Sequence, residues 1–148
     1  MAVEIGSFIG HIVLTNTTSS LYSVCLSVLG HEHDNVNRLL EELDIVARIQ
    51  TMDALVKGLE KKYPVIGDEK ECDLSDPVKI ALNNLHVINE KIHKILKDID
   101  TEIKYHKTKY WNEWRTPDYH LNLIELRRNS KIMEKRFELL IKLMSIDA

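Results

Sequence analysis

Glu90 and His93 stand three residues apart, the Glu-x-x-His step by which helical bundles bring a carboxylate and an imidazole to one metal ion. A dinuclear site of that kind needs a second such pair and two further inward carboxylates, and the chain offers no second pair. His86 lies seven residues before His93, so His86, Glu90 and His93 share one helical flank and form the set that would take up a zinc ion adventitiously. Leu85, Ile88 and Ile92 define the core side of the same segment, which turns Glu90 and His93 toward solvent. The expectation is therefore no metal and no cofactor. His31, Glu32, His33 and Asp34 form a second polar cluster, read as a solvated linker whose acids suit the start of a helix.

Nucleophilic and phosphate chemistry leave fewer traces still. No Ser, Thr or Cys sits in a recognisable nucleophile motif, and the glycines at 6, 10, 30, 58 and 67 match neither common phosphate-binding loop. No catalytic residue is assigned and the protein is read as a non-enzyme. The competing reading, a small helical enzyme or metal protein, would need a site assembled from side chains scattered over several helices. One concentration does stand out: Tyr105, Tyr110, Trp111, Trp114 and Tyr119 place five of the nine aromatic residues within 15 positions. Such a group either plugs the end of a helical bundle or presents an exposed anchor, with Tyr110, Trp111, Trp114 and Tyr119 as the partner-binding candidates. Lys104, Lys107, Lys109 and Arg115 interleave with them, which admits a weak nucleic-acid or lipid-headgroup contact as a third reading.

The elements that would carry these residues follow from composition and periodicity. In 148 residues, 44% apolar and 29% charged, only 5 Gly and 3 Pro are available for turns, so an all-α single domain is expected over residues 1–148. Residues 1–30 carry one acid and no base, residues 31–76 hold 12 acids against 6 bases, and residues 77–148 hold 14 bases against 10 acids. That near-balance argues against a dedicated nucleic-acid binder. Residues 3–30 are a weakly charged apolar segment interrupted by Thr15 to Ser20, a polar cluster read either as a turn or as the polar face of one longer helix. Within it Ile5, Phe8, Ile9 and Ile12 are the candidates for membrane contact or self-association.

Asp34 reads as the N-cap of a second helix carrying Val36, Leu39, Leu40, Leu43, Val46, Ile49, Met52, Val56 and Leu59 at three- and four-residue steps and fading at Tyr63, before Pro64. Residues 63–77 then form an acidic loop. Ser75, Asp76 and Pro77 open a third helix of some 35 residues with a seam of Val78, Ala81, Leu85, Ile88, Ile92, Ile95 and Ile99, which Leu82, Leu96 and Ile103 widen. Thr116, Pro117 and Asp118 open a fourth, whose seam runs Tyr119, Leu123, Leu126, Ser130, Met133, Phe137, Leu140 and Met144, with Ile132, Leu139, Leu143 and Ile146 beside it. Ser130 is expected to bond back to its own helix. Arg127, Arg128, Lys131, Lys135, Arg136 and Lys142 make this helix basic, alternating with Glu125, Glu134 and Glu138. The pattern is read first as a solvated face laced with ion pairs and second as a complement to the acidic second segment within the chain or between copies. Together these segments predict an up-and-down four-helix bundle with long third and fourth helices.

Two cysteines, Cys25 and Cys72, are too few for a disulfide framework. With no secretory signal and no uninterrupted apolar span, the reading is an intracellular, cytoplasmic protein. The order of segments, a hydrophobic start from Ile5 to Leu29 followed by helices over Leu39 to Leu59, Val78 to Ile103 and Leu123 to Leu143, resembles the HeLo-type bundles of fungal cell-death proteins. It is similar also to the N-terminal bundle of the mixed-lineage-kinase-like pseudokinase. The resemblance rests on pattern over most of the chain and implies a module that self-associates and whose first helix engages a membrane. Seams, charge asymmetry and aromatic cluster together lead to a non-catalytic interaction module whose partner is a protein, its own copies included. A membrane-active module using residues 3–30 is the alternative.

Overall fold

The computed structural model describes residues 10–62, 74–109 and 119–147, with side chains described within 16–62, 74–107 and 119–146. Among the described residues the chain is all helical, with no strand: α1 (Gly10–Gly30), α2 (Asp34–Glu42), α3 (Ile45–Lys62), α4 (Asp76–Lys109) and α5 (His120–Asp147). Ile5, Phe8, Ile9, Cys72, Tyr110, Trp111, Trp114, the Thr116-Pro117-Asp118 device and most of the 63–77 loop lie outside the described residues, and Ile12 falls in α1 with its side chain outside them.

The polar cluster of residues 15–20 is helical throughout, so the first segment is one helix over its described part. Its buried side, Thr18, Leu21, Val24, Cys25 and Val28, packs on α4 and α3. No helix among the described residues is long and apolar enough to cross a membrane. Helix α4 is the long central element, 34 residues opened by Ser75, whose carbonyl accepts the Lys79 amide at 3.0 Å. Val78, Ala81, Leu85, Ile88, Ile92 and Ile99 are buried along its seam and Ile95 is partly buried.

The expected second helix is in fact two, which makes five helices where four were predicted. Asp44 adopts φ 52°, in the left-handed region, and ends α2 before α3 begins. The reason is burial. An unbroken helix would carry Ile45 some 140° around from Leu40, at about 100° per residue, whereas the kink lets both enter the core, Leu40 at 2% and Ile45 at 0% exposed. From Ile45 onward Ile49, Met52, Val56 and Leu59 bury in regular steps. Leu43 and Val46, assigned to the seam by periodicity, are only partly buried.

The turn between α1 and α2 needs the same left-handed conformation, supplied by Glu32 at φ 57°. Glutamate lacks the short side chain that lets Asp or Asn offset this conformation by a local hydrogen bond. Glu32→Gly is therefore expected to raise the unfolding free energy by about 0.5–1 kcal/mol, read from urea denaturation. An unchanged or lower midpoint would show that the Glu32 side chain contributes more than its backbone costs. The N-cap of α2 is His33, not Asp34, with the His33 ring accepting the Val36 amide at 3.4 Å.

Candidate functional site

Helix α1 is tied to its neighbours by side chains that sequence reading had left polar and unassigned. Thr17 Oγ1 meets His86 Nδ1 of α4 at 3.0 Å, and Thr18 and Ser19 donate to Asp53 Oδ1 of α3 at 3.1 and 3.4 Å. Lys57 holds the other Asp53 oxygen at 2.7 Å. Toward the other end of α1, Ser27 donates to Asp100 Oδ1 of α4 at 2.8 Å, and His31 Nε2 meets the same oxygen at 2.7 Å. Lys104 bridges to Asp100 Oδ2 at 2.9 Å, and Lys107 Nζ stands 3.2 Å from His31 Nδ1. His31 and His33 are thus built into the packing rather than solvated linker residues.

Ser27, His31 and Asp100 are the residue types of a nucleophilic triad, but their order of bonding forbids that chemistry. A triad needs serine on histidine and histidine on carboxylate; here the hydroxyl and the imidazole both end on one carboxylate oxygen, and no hydrogen bond joins the histidine to the serine. The cluster serves as a charged clasp. Burial works to raise the Asp100 pKa, yet the bonds from Lys104, Ser27 and His31 and the Lys104 charge outweigh it and hold the carboxyl below its ordinary range. Cys25 is fully buried, and desolvation pushes its thiol up to about 12, the opposite of an activated nucleophile.

Asn16, Thr17, Ser20, Glu90 and His93 line a groove of about 430 Å³ between α1 and α4. His93 is therefore half-buried against α1 instead of facing open solvent, while Glu90 is exposed. His86 Nε2 lies 3.0 Å from Glu90 Oε1 and its Nδ1 is on Thr17, so both ring nitrogens of His86 have partners within the protein. Binding a metal through His86 would break one of those bonds. Among the described residues no three His, Cys, Asp or Glu side chains converge as a metal site.

Of the aromatic candidates, Tyr119 is described. It is 4% exposed, its ring edge-on to His33 at 5.2 Å between centroids, so it sits where an end plug would. Burial, with the nearby Glu102 charge, pushes its phenol up to about 12. One ion pair between α5 and the acidic second segment has the expected polarity, Arg127 with Glu42 of α2 at 2.8 Å, and one has the reverse, Arg48 of α3 with Glu134 of α5 at 2.8 Å. Bonding to Arg48 and its charge hold the Glu134 carboxyl below its usual range. The Arg127–Glu42 pair also borders a second groove, of about 400 Å³, between α2 and α5.

Two polar core residues departed from expectation. Ser130 is buried and its hydroxyl has no hydrogen-bond partner among the described residues, so it does not bond back to its helix. Asn89, missed altogether, is 0% exposed; its amide nitrogen reaches only Met52 Sδ at 3.7 Å and its Oδ1 has no partner among the described residues. A sequence signal for Asn89 existed. Leu82, Leu96 and Ile103 lie on a seven-residue spacing whose missing member is position 89. On α5, Leu139 and Ile146, read as widening the core stripe, are 52% and 78% exposed.

The chain is 29% identical over 148 aligned residues to an uncharacterised protein of Acanthamoeba polyphaga mimivirus, an alignment covering 88% of this chain and 72% of the viral protein. No protein family and no solved structure matches the chain.

Proposed function

We propose that this protein is a non-catalytic helical module that works by binding other proteins. In the architecture we infer, α2 and α3 act as one arm of a four-helix bundle with α1, α4 and α5. The observation that carries the reading is the distribution of exposed apolar side chains. Of nine large exposed hydrophobic residues among those described, five are on α5: Leu121, Ile124, Leu139, Ile141 and Ile146. Among the described residues α5 packs chiefly on α4, to a small extent on α2 and through the Arg48–Glu134 pair on α3, and these leave much of its circumference uncovered. Scattered surface leucines need no explanation, but concentration on one helix marks an interaction surface. Ser27 and His31 meanwhile bond to Asp100, and Thr17 to His86, which favours binding over catalysis.

Replacing Leu121, Leu139 and Ile146 together by Glu tests the reading. If these side chains are reserved for a partner, the variant's unfolding free energy stays within about 1 kcal/mol of the wild type, since exposed positions contribute little to folding. A loss several times larger, measured by thermal unfolding, would show that the chain covers them itself and would remove the basis of the proposal. Self-association is the form of binding that sedimentation velocity reads directly, as a reversible rise in mass across the micromolar range.

The membrane-active alternative of the HeLo-type resemblance requires residues 3–30 to leave the bundle. That release would expose Leu21, Val24, Cys25 and Val28 and break the ties at Thr17, Thr18 and Ser27. Flotation with anionic liposomes, with and without residues 1–30, decides it: no wild-type binding excludes this form.

A further inference from the structure

The exposed apolar residues of α5 do not stand alone. On α4, Ile80 and Val87 are 43% and 38% exposed and flank Asn84 at steps of four and three, so the three share one side of the helix. On α5, Ile132, Arg136, Leu139 and Leu143 follow one another at steps of four, three and four, again on one side. The Arg136 guanidinium donates to the Asn84 carbonyl at 2.8 Å, which brings the two stripes together across the valley between these helices. From Ile132 to Ile146 this valley is about 21 Å long at 1.5 Å per residue, room for some four turns of a third helix.

Its charge is predominantly basic. Lys91 continues the α4 stripe, Lys94 follows it, and Lys135, Arg136 and Lys142 flank the α5 stripe. Of the acids in the same stretches, Glu90 lines the groove against α1 and Glu134 pairs with Arg48, while Glu138, between Lys135 and Lys142, and Asp98, one turn beyond Lys94, are exposed, so bases outnumber acids along the rim. Resting on the binding reading above, we infer that the outer valley of α4 and α5 receives an acidic amphipathic helix of a partner protein. An apolar valley between two helices fits the apolar ridge of a third, and the basic rim supplies both selection and steering for acids on its flanks. A second copy pairing through the same surface would set one predominantly basic rim against another. A bilayer offers no ridge to fill the valley, and the stripes hold no Trp or Phe of the kind interfacial helices use.

The test is fluorescence anisotropy of the full chain with a labelled, helix-stapled peptide carrying Leu at i, i+3, i+4 and i+7 and Glu on its other faces. Saturable binding is expected, weakened at least about tenfold by Leu139→Glu and, separately, by Lys135→Glu with Lys142→Glu. The same peptide with Lys in place of Glu should bind at least about tenfold more weakly than the acidic one. Equal binding of the two peptides, or wild-type binding by both variants, overturns the inference. So does a dimer in sedimentation velocity that Leu139→Glu dissociates, because the occupant is then a second copy, and so does flotation with phosphatidylserine vesicles abolished by that substitution. Failure of the acidic peptide to bind a chain whose triple Glu variant folds normally removes this groove while leaving the binding module standing. Loss of stability in the triple variant removes the module itself.

Discussion

Asp100→Ala is expected to destabilise the protein by about 2–4 kcal/mol, the cost of stranding part-buried polar groups around a deleted buried charge. The wild-type side chain is only 10% exposed and accepts from Ser27, His31 and Lys104. After truncation, the Ser27 hydroxyl and the His31 imidazole, the latter 13% exposed, face a space without an acceptor. Lys104, 60% exposed, turns to water at little cost. At roughly 3 °C per kcal/mol for a chain of this size, the midpoint falls by about 10 °C in a circular-dichroism melt. A wild-type melting point in the variant would mean that the clasp contributes nothing.

The same carboxylate dictates a pH dependence. Its folded pKa lies below the ordinary aspartate value despite the opposing effect of burial. The unfolded chain therefore binds the proton more readily, and stability rises with pH across that interval. The Asp100 contribution is complete above the ordinary aspartate range and disappears as pH falls through its depressed folded value. Asp100→Asn removes the titration, so the acid limb of the stability curve should be shallower than in wild type. Identical acid limbs in parallel melts would refute the assignment.

Asn89→Leu is expected to act in the opposite direction, raising stability by about 1–3 kcal/mol. Asn89 carries a desolvated carboxamide whose oxygen has no partner among the described residues and whose nitrogen has only a thioether. Leucine has the same branched skeleton with bulkier methyl ends and completes the apolar row of Leu82, Leu96 and Ile103. The expected midpoint rise is about 3–9 °C. A fall would show that Asn89 has a satisfied role in the folded protein. A buried asparagine in such a row fixes helix register at a cost in stability, so the leucine variant should also be examined for altered oligomeric mass by sedimentation.

How far the sequence led differs from element to element. The α4 seam was legible because three- and four-residue steps persist over many turns, and its Ser75-Asp76-Pro77 start needed only cap chemistry. The break at Asp44 was not, although the five-residue step from Leu40 to Ile45 carries its trace; a reading that accepts any apolar residue nearby slides to Val46 and conceals the kink. His31 with Asp100 and Thr17 with His86 were out of reach, each pair being 69 positions apart. Nothing local distinguishes a histidine awaiting a distant carboxylate from one in water. The α5 error has another origin. Its apolar residues form two stripes, and periodicity cannot say which stripe meets the core when a helix has neighbours on only part of its circumference.

The ties of α1 also bear on how such a chain can diverge. Thr17, Thr18 and Ser27 meet partners on two different helices, so sliding α1 by one turn would mismatch all of them at once, whereas leucine and isoleucine contacts would simply repack. Along a lineage the seam residues are then free to drift one at a time within the apolar class. Thr17 with His86, Thr18 with Asp53 and Ser27 with Asp100 must change in concert, and paired substitutions at these positions are the historical record that this interlocking would leave in distant descendants.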